Sequence, residues 1–125
     1  MANIHRTRSA FTLVEIMLAG AIIGLLTALA IPQFIKSRKL VQGRRILNEV
    51  RQMDTAIGQW AVEKSKAEGD GIVTAEAASY LKTAWPDNDM MGNAYSIMVV
   101  GSTQVQINAS TKAALAGVGI DWGPY

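Results

Sequence analysis

Twenty consecutive residues without a charge, Ile16 to Ile35, follow a single carboxylate at Glu15. As a helix with ~1.5 Å rise per residue, this run is about 30 Å long, the hydrocarbon thickness of a bilayer. No other feature narrows the possible folds so far. A water-soluble domain would have to bury that whole cylinder, and only about 90 of the 125 residues follow it. A secretory signal has a shorter apolar core ending at a small-residue cleavage site, whereas this run continues through Pro32 into a helical pattern. The segment reads as a retained membrane anchor. His5, Arg6 and Arg8 precede it without an acid and favour a cytoplasmic N-terminus. The larger basic group behind it, Lys36, Arg38, Lys39, Arg44, Arg45 and Arg51, favours the opposite orientation under the positive-inside rule.

Glu15 needs an explanation, because an acid within a membrane helix costs about 2.5–3.5 kcal/mol at the centre and less near an edge. One reading is local. Thr12-Leu13-Val14-Glu15 has the spacing of a capping box, and an acid in the first turn also complements the helix dipole. The other reading requires a cation, and the apolar segment contains none. A cut before Phe11 would create an α-amino group four residues away, on the same chain or on a neighbour.

A basic leader, a small residue and then "FTLVEIML…GAIIGLLTALAIPQF" resemble the class III signal and N-terminal helix of type IV pilins and type II secretion pseudopilins. The resemblance implies that a membrane aspartyl peptidase cuts between Ala10 and Phe11 and methylates Phe11. It also implies that Glu15 pairs with a neighbour's terminal amine during assembly. Ala10 stands where the family usually has Gly, which adds one methyl group before the cut. "DMMGNAY", Asp89 to Tyr95, more loosely resembles the Asp-Pro-x-Gly-Asn-Pro-Tyr segment of major pseudopilins, with Met90 and Ala94 in place of the prolines. Implied partners are copies of the chain, minor pilins or pseudopilins, the prepilin peptidase, and an inner-membrane platform with its ATPase. The implied location is the bacterial inner membrane, N-terminus inside and head outside.

Within the apolar run, Gly20, Gly24 and Ala28 recur at one-turn spacing and form a small-residue face suited to close helix packing in lipid. Pro32 removes a backbone donor and predicts a kink or a loosened turn; in pilin-like filaments the helix is often melted there. Ile46, Val50, Met53, Ile57 and Trp60 then follow alternating steps of four and three, an apolar stripe on a helix that continues to about Lys66. The Gly69-Asp70-Gly71 stretch ends that helix, and Thr74 is the expected cap of a short one with Ala78 and Leu81 or Tyr80 facing inward. "AYSIMVV" and "TQVQIN" read as strands joined by a two-residue type II′ turn at Gly101-Ser102. Both must lie against the long helix, since two strands alone are marginal. "STKAAL" adds a helical turn. The expected fold is α+β, organised as leader 1–10, membrane and filament-core helix 11–35, amphipathic extension 36–66 and head 67–125.

Catalytic chemistry is missing. The single histidine, His5, lies in the leader and there is no cysteine, which excludes Ser-His-Asp and Cys-His sets, thiolate metal sites and disulfides. No Gly-rich phosphate loop precedes a helix. Asp87-Asn88-Asp89 fails as an EF-hand because Met91 and Met98 occupy ligand positions. An irregular calcium site from Asp87, Asp89 and Asp121 stays open beside the plainer reading of these residues as turn formers. Asn108-Ala109-Ser110 fits a glycosylation acceptor pattern, one that is frequent by chance. The basic group after the membrane reads as a solvated or headgroup-facing surface; nucleic-acid binding is disfavoured because no aromatics interleave the charges. The expected function is a structural filament subunit of a secretion pseudopilus or type IV pilus. The alternatives are a subunit of a DNA-uptake apparatus and a single-pass anchor carrying a small adaptor domain.

Overall fold

The structure, a computed structural model, describes residues 10–125; His5, Arg6 and Arg8 of the basic leader lie outside the described residues. The elements in chain order are α1 (Leu13–Glu63), α2 (Thr74–Ala77), a 3₁₀ turn (Ala78–Tyr80), β1 (Ser96–Ile97), β2 (Val105–Gln106) and α3 (Ala109–Ala114). The architecture is α+β. It divides into two compact units, one ending at Ile35 and one from Lys36 to Tyr125.

In the first unit α1 is long and apolar enough to cross a membrane, and none of its apolar window is covered by the chain. Leu13, Ile16, Leu25, Leu26 and Leu29 all expose most of their surface. At about 25 cal/mol per Å², a cylinder of such side chains is stable only inside lipid or against other helices. α1 continues unbroken through Pro32, although that residue has no N–H to offer the Ala28 carbonyl.

In the second unit the predicted stripe becomes the core. Ile46, Val50, Met53, Ile57 and Trp60 are fully buried, and Ala77, Tyr95, Val105, Ile107 and Leu115 pack on them. Each large side chain buried there contributes roughly 1.5–3 kcal/mol. Gly43 begins the covered stretch of α1. A Cβ there would collide with the Ile120 side chain and stand 3.4 Å from the Trp122 ring, so the C-terminal tail approaches the helix where no side chain intervenes.

Several expectations are corrected. α1 ends at Glu63, before the Gly-Asp-Gly stretch, because Ser65 turns left-handed (φ 51°). Lys66 N–H then donates to the Ala61 carbonyl at 2.8 Å and Ser65 N–H to the Val62 carbonyl at 3.2 Å, a Schellman closure formed without glycine. Thr74 is the first residue of α2 rather than its cap; Val73 holds that position with no side-chain bond. Ala77 is the residue α2 buries fully, while Ala78, Tyr80 and Leu81, expected to face inward, are half-buried, Tyr80 against the core. The hairpin turn is also longer than two residues. Ser96 pairs with Gln106 and Ile97 with Val105, and Met98 N–H donates to the Gln104 carbonyl at 2.9 Å. This register is one residue off that required by a Gly101-Ser102 turn. The rest of the first strand turns to another partner: Val99 bridges Gly71, Val100 N–H donates to the Asp70 carbonyl at 2.9 Å, and Gly69 N–H donates to the Val100 carbonyl at 2.8 Å. α3 forms as expected, with Asn108 accepting from Ser110 N–H at 2.9 Å.

Candidate functional site

At the start of α1 the Thr12 hydroxyl accepts from Glu15 N–H at 3.2 Å, and a Glu15 carboxylate oxygen accepts from Thr12 N–H at 3.0 Å. This is the reciprocal capping box expected from the four-residue spacing, and it satisfies two of the donors that a helix N-terminus leaves open. It engages only one Glu15 oxygen, and an ionised carboxylate accepts several donors. The Ala10–Phe11 bond lies just ahead of the cap in non-helical backbone, with both residues exposed. A chain end at Phe11 would therefore lie one residue from a donor that Glu15 already holds. Further along, a Cβ added at Gly20 or Gly24 would meet nothing within 4 Å, and Ala28 is exposed. The small-residue face is open. Thr27, the one hydroxyl between Gly20 and Ile35, donates to the Ile23 carbonyl at 2.7 Å and so presents no unsatisfied donor to lipid.

The head is fastened to its helix by aromatic donors on carboxylates. Tyr95 donates to Glu49 at 2.9 Å, Tyr125 to Asp54 at 3.2 Å, Trp60 Nε1 to Glu76 at 2.7 Å, and Tyr80 to Glu63. Gln104 adds a longer bond to Asp54 at 3.3 Å. Burial, then the bond to Glu49, pushes the Tyr95 hydroxyl far above the usual phenol range. Burial and then the Asp54 charge raise Tyr125 in the same sense, and the bond to Glu63 raises Tyr80. Every one of these phenols is held as a neutral donor. The Glu76 carboxylate is turned to Trp60, which is why it does not reach back to cap α2.

No family model matches the chain, and no solved structure does. A type IV major fimbrial protein FimA of Dichelobacter nodosus is 43% identical over 58 residues, 46% of this chain and 36% of that protein. Another FimA from the same organism is 49% identical over 47 residues, 38% of this chain and 30% of its own length. A fimbrial protein of Pseudomonas aeruginosa is 37% identical over 70 residues, 56% of this chain and 42% of that protein. Over part of its length the chain is similar to these type IV fimbrial proteins. The match thus spans about a third of the FimA relatives' length.

The segment Asp89–Tyr95 is a structural lock that the sequence did not reveal. Asp89 is buried; one of its oxygens accepts from Met91 N–H at 2.9 Å and from Asn93 N–H at 3.0 Å, and the other accepts from the Thr111 hydroxyl. Asn93 Nδ2 donates to the same hydroxyl at 2.9 Å. The loop and α3 are thereby tied together. Asp87 and Asp121 are exposed, and Asp121 accepts from Gly123 N–H at 3.0 Å. Among the described residues no three acidic or histidine side chains are grouped to hold a metal. Asp87, Asp89 and Asp121 are not brought together, and Asp89 in particular is turned inward onto protein donors.

Glu49, Asp54 and Gly43 also escaped the sequence reading. Glu49 and Asp54 sit beside the apolar stripe, where a solvated acid and a latched one have the same pattern. Gly43 carried a usable signal, since glycine inside a helix costs about 1 kcal/mol against alanine and so suggests a close approach.

Proposed function

We propose that the chain is a structural subunit of a type IV pilus or a related secretion pseudopilus. One observation carries this reading: a single helix is capped by Glu15, leaves its whole apolar first unit uncovered by its own chain, and then forms the spine of a folded head. Such a helix is held by lipid before assembly and by neighbouring copies afterwards. The fimbrial names of the matched relatives support a pilus over a secretion pseudopilus.

On this reading a prepilin peptidase removes residues 1–10 and methylates Phe11. Glu15 then accepts the Phe11 amine of an adjoining copy on its second oxygen, and Gly20, Gly24 and Ala28 let the helices close together. The turn at Pro32 supplies slack, since proline has no N–H to donate to the Ala28 carbonyl. The head lies outside the inner membrane, and an ATPase-driven platform moves subunits into the filament. Chemistry at a catalytic centre plays no part.

The test has two arms. Intact mass of the membrane-extracted protein should show loss of residues 1–10 and gain of one methyl group. Glu15→Gln should be inserted and cut normally yet yield few or no sheared filaments. An uncut chain in working filaments would end this reading, as would normal filament yield from Glu15→Gln. Accessibility of the head to protease from the cytoplasmic side would instead support the anchored adaptor.

A further inference from the structure

Charge is segregated along the second unit in a way one copy cannot neutralise. Residues 36–51 carry six cations and a single acid, Glu49, a net +5; residues 52–125 carry eight acids and four lysines, a net −4. Glu49 is already shared between Tyr95 and Arg45, the latter at 3.8 Å. Among the described residues the other five cations of this stretch make no ion pair. Arg44 and Arg51, two turns apart and so on one face of α1, line an open cleft of about 700 Å³ with Arg45, Leu47 and Ile120; the single acid in its lining, Asp121, leaves three cations against one carboxylate.

The chain's own counterpart to this cleft is the turn after α1. Residues 62–71 are all exposed; Lys64 and Lys66 lie at the start of this turn, and the tip beyond them carries only the acids Glu68 and Asp70. Glu68 sits at the tip of a turn closed by Asp70 N–H on the Ala67 carbonyl at 3.1 Å and by Ala67 N–H on the Asp70 carboxylate at 2.8 Å. Gly69 and Val100 tether it to the strand segment beyond β1. A turn held this firmly loses little freedom on docking. The cleft centre and the end of α1 are about 24 Å apart along the helix at 1.5 Å per residue. Glu68 therefore cannot reach the cleft of its own copy. A neighbour shifted along the axis by roughly that distance can.

We propose, resting on the filament reading above, that the Glu68–Asp70 turn of one copy docks in the Arg44–Arg51 cleft of another. The contact joins two different surfaces, and such a head-to-tail interface propagates an open filament when its rotation does not close a ring; the shift of roughly 24 Å along the axis takes each copy out of the plane of a ring. A lipid or nucleic-acid polyanion would satisfy the cations but leave the acidic turn unpaired; a second copy satisfies both.

The chain has no cysteine, which permits a direct test. Chains carrying Arg44→Cys are co-expressed with chains carrying Glu68→Cys, and sheared filaments are oxidised. A mixed disulfide dimer is expected, at least several-fold above either variant alone. Charge exchange supplies the second arm: Arg44→Glu and Glu68→Arg should each lower filament yield several-fold, and the two combined in one chain should restore it. Intact filaments with no mixed dimer, or no restoration in the double variant, would overturn the docking while leaving the filament reading in place. Absence of filaments from the unaltered, correctly cut chain would overturn both. Unchanged filament yield in Arg44→Glu, with loss of co-purifying phosphatidylglycerol, would give the face to a membrane and also overturn the docking.

Discussion

Replacing Asp89 with alanine removes the acceptor for three donors at once: two backbone N–H groups and the Thr111 hydroxyl. A hydrogen bond to a charged group contributes about 1.5–3 kcal/mol, and donors left buried without a partner cost a further share of that. The three losses do not add fully. The Met91 and Asn93 amides lie near the surface and recover water, whereas Thr111 is fully buried and keeps only Asn93 as a partner. A net loss of about 3 kcal/mol follows. With a urea slope of about 1–2 kcal/mol/M for a unit of this size, the midpoint should fall by about 2 M. The assay is urea unfolding of the full chain in detergent micelles, followed through near-UV circular dichroism, which reports the packing of buried Trp60. Thr111→Val should cost less, about 1.5–2.5 kcal/mol, because it deletes one partner of the network rather than its hub. The double variant should then lose less than the sum, by about 1 kcal/mol or more. A midpoint shift below about 0.3 M for Asp89→Ala, or strict additivity with Thr111→Val, would refute the assignment of Asp89 as the hub.

Other perturbations test other joints. Ser65→Gly relieves a left-handed serine at the Schellman closure of α1 and should raise stability by up to about 1 kcal/mol, read in the same urea assay. Because Tyr95 stays neutral in the folded head to far higher pH than when unfolded, the unfolded chain binds fewer protons above the ordinary phenol range of about 10. Stability contributed by Tyr95 is thus complete below about pH 10 and is lost as pH rises beyond it; Tyr95→Phe should flatten that alkaline decline in a pH series of unfolding curves. Gly43→Leu sets a side chain where Ile120 and Trp122 pack. It should displace the tail, cost about 1–3 kcal/mol after the gain in helix propensity, and raise acrylamide quenching of Trp122.

The repeating features were readable before any fold was known. A twenty-residue uncharged run, a Thr-x-x-Glu cap, and a four-three alternation from Ile46 to Trp60 each concern neighbours one or two turns apart. Helix geometry places such neighbours together whatever the rest of the chain does, so α1, its cap and its buried stripe were all expected. The head's joints follow another logic. Asp89 meets Thr111, Asp54 meets Tyr125 and Glu49 meets Tyr95 across gaps of 22 to 71 residues, which no local pattern encodes.

The same division explains the corrections. Glycine-rich spacing pointed to a two-residue hairpin, but pairing of Val99 and Val100 with Asp70 and Gly71 drew the first strand away and shifted the register. Thr74 has the chemistry of a cap, yet it is the first residue of α2, with Val73 in the cap position and Glu76 accepting from Trp60. Periodicity alone thus established the helix, its greasy half and its inward face, because those depend only on residues a few steps apart. Which acids are latched, where the turns fall and what the C-terminal tail covers had to await packing in three dimensions, because distant side chains compete for the same donors and only the folded core selects among them.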